Sequence, residues 1–220
     1  MEDTIRYMSG HRGGTTRLHV ERVAARSIQF SNLSPDTTHA DITAAVRGGA
    51  LLDIYLRRRD GAASVAFVHG DDAQAFYDHA RRNGLFVRDK RAKVKWSDRL
   101  YTLPGHLAQK LEAGASRNIV IRRCDASHTE VSIREDLEHI HNLVVVKLLF
   151  LDGDCYISTN SVAHAMKYKG SRIEWDSDEC AMPLEHVPPF RHRQSGPSPP
   201  LRHSAANSME NRFKVLDLDD

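Results

Sequence analysis

One order of segments occurs twice in this chain: a short apolar strand, a helix, two strands, a second helix and a final strand. It runs over 27–96 and returns, diverged, over 118–175. An internal repeat of this period means two small units of the same build rather than one continuous core. In the first copy, SIQFSNL (27–33) and SVAFVHG (64–70) read as central strands of a small sheet. Between them Asp36, Thr37 or Thr38 caps a helix whose apolar positions Ile42, Ala45 and Val46 recur at helical spacing, and Gly48-Gly49 ends it. Leu52, Ile54 and Leu56 alternate as a strand, and Asp60-Gly61 turns the chain into the next. Asp71-Asp72 opens a helix with the buried stripe Ala73, Phe76, Tyr77 and Ala80; Asn83-Gly84 closes it. The last strand points Val94 and Trp96 to the core if Lys93 and Lys95 face outward.

The second copy follows the same order. Residues 118–124 form its first strand, and Ser132-x-x-Glu135 resembles a capping box before Ile133, Leu137 and Ile140. Val144, Val146 and Leu148 make the next strand, and Cys155-Tyr156-Ile157 corresponds to Ala66-Phe67-Val68. Asn160 caps a helix carrying Val162, Ala165 and Met166, while Ile173 and Trp175 match Val94 and Trp96. On this alignment the second copy has lost chain between its second helix and last strand. The expected fold class is therefore α+β, two tandem ferredoxin-like α/β-plaits of the RRM kind, the second shortened. The expected boundaries are a flexible segment 1–25, a first RRM 26–99, a linker with a short helix 100–116, a degenerate RRM 117–185 and a disordered Pro/Ser/His-rich tail 186–220.

Charge separates the two copies although the whole chain is only +2. Residues 26–99 carry +4 and residues 117–185 carry −4, so the copies meet a phosphate backbone differently. Three cysteines without C-x-x-C spacing argue against a disulfide framework or a zinc site and suit a reducing compartment, cytoplasmic or nuclear. No apolar run approaches the ~20 residues that span a bilayer. A Gly-rich phosphate loop, a nucleophile elbow and a paired metal motif are all missing, so an enzyme, a cofactor and a metal are not expected.

RGGALLDIYL (47–56), HLAQKLEAGASRNIVI (106–121), IREDLEHI (133–140) and KGSRIEWDSDECA (169–181) together resemble fungal multi-RRM proteins of the negative regulator of differentiation family. The resemblance implies binding of single-stranded mRNA in post-transcriptional regulation. RRMs stack bases on aromatics of two central strands. Here the second hexamer position is Gln29, and the octamer positions fall on Val65 and Phe67. Alternation puts Val65, Phe67 and His69 on one face, which makes Phe67 the expected stacking platform and His69 a neighbour, with a strand aromatic in the core as the alternative. Tyr55 offers a second ring, Gln29 a base-edge contact, and Arg57, Lys93 and Lys95 phosphate contacts. In the second copy Asp152, Asp154 and Glu174 oppose a polyanion, leaving Lys147 and Tyr156 as weaker contacts. That copy is expected to support the first or to bind protein, with its acidic sheet face a candidate to pair with the basic face of the first. A pseudo-RRM module for protein partners is the alternative for the whole chain.

Overall fold

In the computed structural model, residues 19–168 and 172–186 are described. The first unit contains Ser27–Ser31 (β2), preceded by the short Val23–Ala24 (β1), then His39–Ala45 (α1), Leu51–Arg57 (β3) and Ala62–Phe67 (β4). Gly70–Asn83 (α2), Leu85–Val87 (β5) and Lys90–Trp96 (β6) complete it. The sheet order is β3-β4-β2-β6-β5, with antiparallel neighbours throughout. Tyr101–Thr102 (β7) and Gly105–Glu112 (α3) form the connection. The second unit runs Asn118–Ile121 (β8), Glu130–Glu138 (α4), Val145–Leu151 (β9), Asp154–Thr159 (β10), Val162–Ala165 (α5) and Ile173–Asp176 (β11), in the order β11-β8-β10-β9. Both sheets place the first and third strands of their repeat in the middle. Each is an RRM fold.

The first core forms where the apolar face of the sheet meets α1 and α2: Ile28, Phe30, Ile54, Val65 and Phe67 pack with Ile42, Ala73 and Phe76. Phe67 and Phe76 approach to 5.4 Å between ring centroids, and Tyr77 covers Trp96 at 5.1 Å. Thr38 caps α1 in a reciprocal box with Asp41, one of the caps expected. In the second unit the box lies one turn earlier than expected. Thr129 is the cap and Ser132 its N3 partner, because α4 starts at Glu130. Asn160 likewise stands outside α5; Ser161 occupies the cap position, and the Asn160 Oδ1 accepts the Val144 N–H at 2.8 Å.

A second apolar layer covers one end of the first sheet on its other face. Ala66, Val68 and Leu52 lie there under Leu107, Ala108 and Leu111 of α3 and Val162 of α5. The bulge between Leu51 and Asp53 turns Leu52 to this face instead of aligning it with Ile54, as simple alternation predicts. Residues 19–25, expected to be flexible, are tied down here as well: β1 pairs with β7, and Val20 is buried in the same layer. Residues 1–18 and 187–220 lie outside the described residues.

The joint between the copies is polar at its centre. Arg117, wholly buried, donates twice to Asp178 (2.9 and 2.6 Å) and once to the Thr159 carbonyl (3.0 Å). Asp178 also accepts the Leu51 N–H at 2.8 Å, and the Ile54 N–H donates to the Asn160 carbonyl at 2.8 Å. Gly48 and Gly49 donate their N–H groups to the Met182 and Cys180 carbonyls. Gly48 has φ +93°, and a Cβ there would meet Leu184. Cys180 itself sits in the first core. Both copies begin with a buried arginine, Arg26 and Arg117, but Arg26 is held by the Val68 and Glu21 carbonyls rather than by a buried carboxylate.

Candidate nucleic-acid interface

The register of the first sheet decides which side chains meet solvent. Tyr55 lies opposite Ser64, Ser64 opposite Gln29, and Gln29 opposite Lys95. These four make one row across β3, β4, β2 and β6, about 14 Å wide at ~4.8 Å per strand. In the next row Arg57 faces Ala62, and Ser31 faces Lys93. Tyr55 is 61% exposed, and Lys93 and Lys95 are exposed with no ion pair among the described residues. Arg57 lies 3.7 Å from Asp60 at the hairpin tip, an exposed pair that a phosphate can displace. This half of the face is open, while the Ala66 and Val68 end lies beneath α3 and α5.

Two expected contacts are not on the open half. Phe67 is fully buried between the sheet and α2. The pairing of Ile28 with Val65 puts Val65 and Phe67 on the same side as Ile28 and Phe30, one residue out of step with the octamer alignment. The core alternative therefore holds for Phe67. His69 stands at the first position before α2 without a side-chain capping bond, and its Nδ1 lies 3.7 Å from Glu21 in the segment before the first sheet. Ser64, on the opposite parity to Val65 and Phe67, takes a central place in the row. At Ser64 and Ala66, the positions beside these that do turn to this face, the side chains are small, and at Ala66 α3 packs on the strand.

The second sheet presents a different surface. Tyr156 lies between Val120 and Leu149, and Lys147 opposes Ser158 at the edge. Asp154 and Glu174 do face outward, but Arg122 bridges them at 2.7 and 2.8 Å. Backbone and side-chain hydrogen bonds from Arg123 and Arg122 hold the Asp154 carboxyl below its ordinary range. Asp152 is in the turn before β10, with φ +51°. Among the described residues the two sheet faces do not pair as expected: the copies meet through α3, α5 and the Arg117 joint instead.

Among the described residues, one group has metal-ligand spacing, with donor atoms of Asp178, Glu179 and Cys180 within 4.8 Å. The Arg117 guanidinium stands among them, 2.6 Å from Asp178 and 2.8 Å from Glu179. Burial raises the Cys180 thiol far above its ordinary value and keeps it protonated, so a permanent cation fills the place an ion would need. Burial alone would lower the Arg117 pKa, yet the Asp178 carboxylate beside it, its hydrogen bond to that group and the Glu179 charge carry it upward.

No family model matches this chain. It is 26% identical over 174 residues to the RNA-binding protein MRN1 of Saccharomyces cerevisiae, covering 70% of this chain and 28% of that protein. It is 24% identical over 170 residues to the meiotically up-regulated gene 24 protein of Schizosaccharomyces pombe, covering 73% and 26% respectively. The chain thus spans little more than a quarter of the length of these curated relatives. Among solved structures, the first RRM of Hrb1 superposes with a TM-score of 0.30 at 20% identity, covering 44% of this chain and all of that one. The sequence similarity is to fungal proteins, MRN1 among them named for RNA binding.

Proposed function

We propose that this chain is a non-enzymatic RNA-binding protein that takes single-stranded mRNA on the open half of its first sheet, in post-transcriptional regulation. The exposed Tyr55 ring in one row with Ser64, Gln29 and Lys95 carries the reading. Tyr55 stacks one base, Gln29 and Ser64 reach a base edge, and Lys93, Lys95 and Arg57 hold phosphates. The RNA-binding name of one relative supports it. With one ring in place of the usual two or three, affinity rests more on charge, at ~1 to 3 kcal/mol per stacked base lost. Lys147 and Tyr156 are secondary at most, since Arg122 and its two carboxylates share their face. On this reading the protein acts in the cytoplasm or nucleus, a setting that suits its free thiols.

Fluorescence anisotropy of a labelled single-stranded RNA pool with the full chain, repeated over a salt series, tests this. Binding that falls steeply with salt, and falls again in Lys93→Glu/Lys95→Glu, is expected. Salt-insensitive behaviour, or equal binding by the variant, would favour a protein-interaction module.

A further inference from the structure

The two copies differ most in their second helix: α2 has 14 residues and α5 has 4. In the first copy the long helix brings Tyr77 over Trp96. In the second, Trp175 takes the place of Trp96 and is partly buried against the layer under α3 and the second core. Trp175 also lines a cavity of about 740 Å³ between α3 and the second unit, together with Met166, Tyr168 and Ile173. The opposite wall comes from the linker helix. Leu107 and Leu111 turn one stripe of α3 to the first sheet, which leaves His106 and Lys110, four residues apart, on the stripe facing the cavity. Lys167 adds a third basic side chain.

The charge of this groove is one-sided. His106, Lys110 and Lys167 are exposed and form no ion pair among the described residues, whereas the one acid in the lining, Glu174, is bound by Arg122 at 2.8 Å. The Trp175 indole N–H has no hydrogen-bond partner among the described residues either. Basic groups beside half-exposed rings suit a phosphate with an attached base, because the rings accept any π-face while the cations hold the backbone.

We propose that this groove is a second contact for single-stranded RNA, holding a phosphate at His106, Lys110 and Lys167 and a base against Trp175 and Tyr168. The inference rests on the RNA-binding reading of the first sheet and extends it across the linker helix. The full chain, Lys110→Glu/Lys167→Glu, and Lys93→Glu/Lys95→Glu are compared by anisotropy on the same RNA pool, with photocrosslinking to map contacted peptides. Lys110 and Lys167 are exposed, so their exchange leaves the fold intact. The groove variant is expected to weaken RNA binding about tenfold, with crosslinks at Tyr168 or Trp175 that vanish in that variant. Unchanged affinity in the groove variant, beside a loss in the sheet variant, would overturn the groove and leave the sheet reading standing. A loss in the groove variant alone would instead overturn the sheet reading. If the groove variant keeps RNA but loses an acidic peptide pool that the parent binds, the groove serves protein and the proposal falls.

Discussion

The first copy keeps a long second helix and an open, basic sheet face; the second has a one-turn helix and a face on which Arg122 ties Asp154 to Glu174. What they retain in common is the strand order and a buried arginine before the first strand. The plait therefore survives large losses on its periphery so long as the central strands pack. In this chain the second copy serves the first as a support. Its α5 covers part of the first sheet, and its last turns, through Asp178 and Cys180, fill the corner beside α1 and β3.

The largest expected effect separates the two arginines. Asp178→Ala strands the Arg117 charge in the joint and should cost about 3 to 5 kcal/mol by chemical denaturation. Arg26→Met, at the matching position without a buried carboxylate, should cost clearly less. Equal losses would break the distinction between a locking joint and a simple anchor. Next, Phe67→Ala should lose about 3 to 5 kcal/mol of stability as a core truncation, whereas Tyr156→Ala, on the face of the second sheet turned away from its core, should lose little. A Phe67→Ala protein that remains as stable as its parent would return that ring to the ligand face.

Tyr55→Ala should reverse the pattern, weakening RNA by ~1 to 3 kcal/mol in anisotropy with no shift in the denaturation midpoint. The smallest effect concerns pH. Burial pushes the Glu179 carboxyl up, but Arg117 and Asn118 outweigh it and hold its pKa below the ordinary 4.5. Its contribution to the joint is thus present above that value and lost as pH falls through the folded-state pKa. Glu179→Gln should therefore lose less stability than the parent on acidification below 4.5, and identical acid profiles would remove Glu179 from the joint.

Topology was legible in the sequence because helix caps, glycine stops and strand alternation recur in the same order twice. Parity was not. Leu52, Ala66 and Val68 are apolar on the face that an RRM usually leaves wet, since α3 lies on them, so the strands read as apolar runs and alternation lost its sign. That is why Phe67 was placed outward while Tyr55, Gln29, Arg57, Lys93 and Lys95 fell on the face expected. The joint was invisible for another reason: Arg117 and Asp178 are 61 residues apart, and nothing local marks them as partners. Three of the segments carrying the family resemblance, 47–56, 106–121 and 169–181, nevertheless meet there through Leu51, Arg117 and Asp178. Motifs that seemed to describe separate elements describe one contact.

Backbone chemical-shift mapping of the full chain during titration with single-stranded RNA tests the central claim most directly. The account predicts that the largest shifts fall on Gln29, Tyr55, Ser64, Lys93 and Lys95. Shifts centred on Tyr156 and Lys147, with the first sheet unmoved, would contradict it.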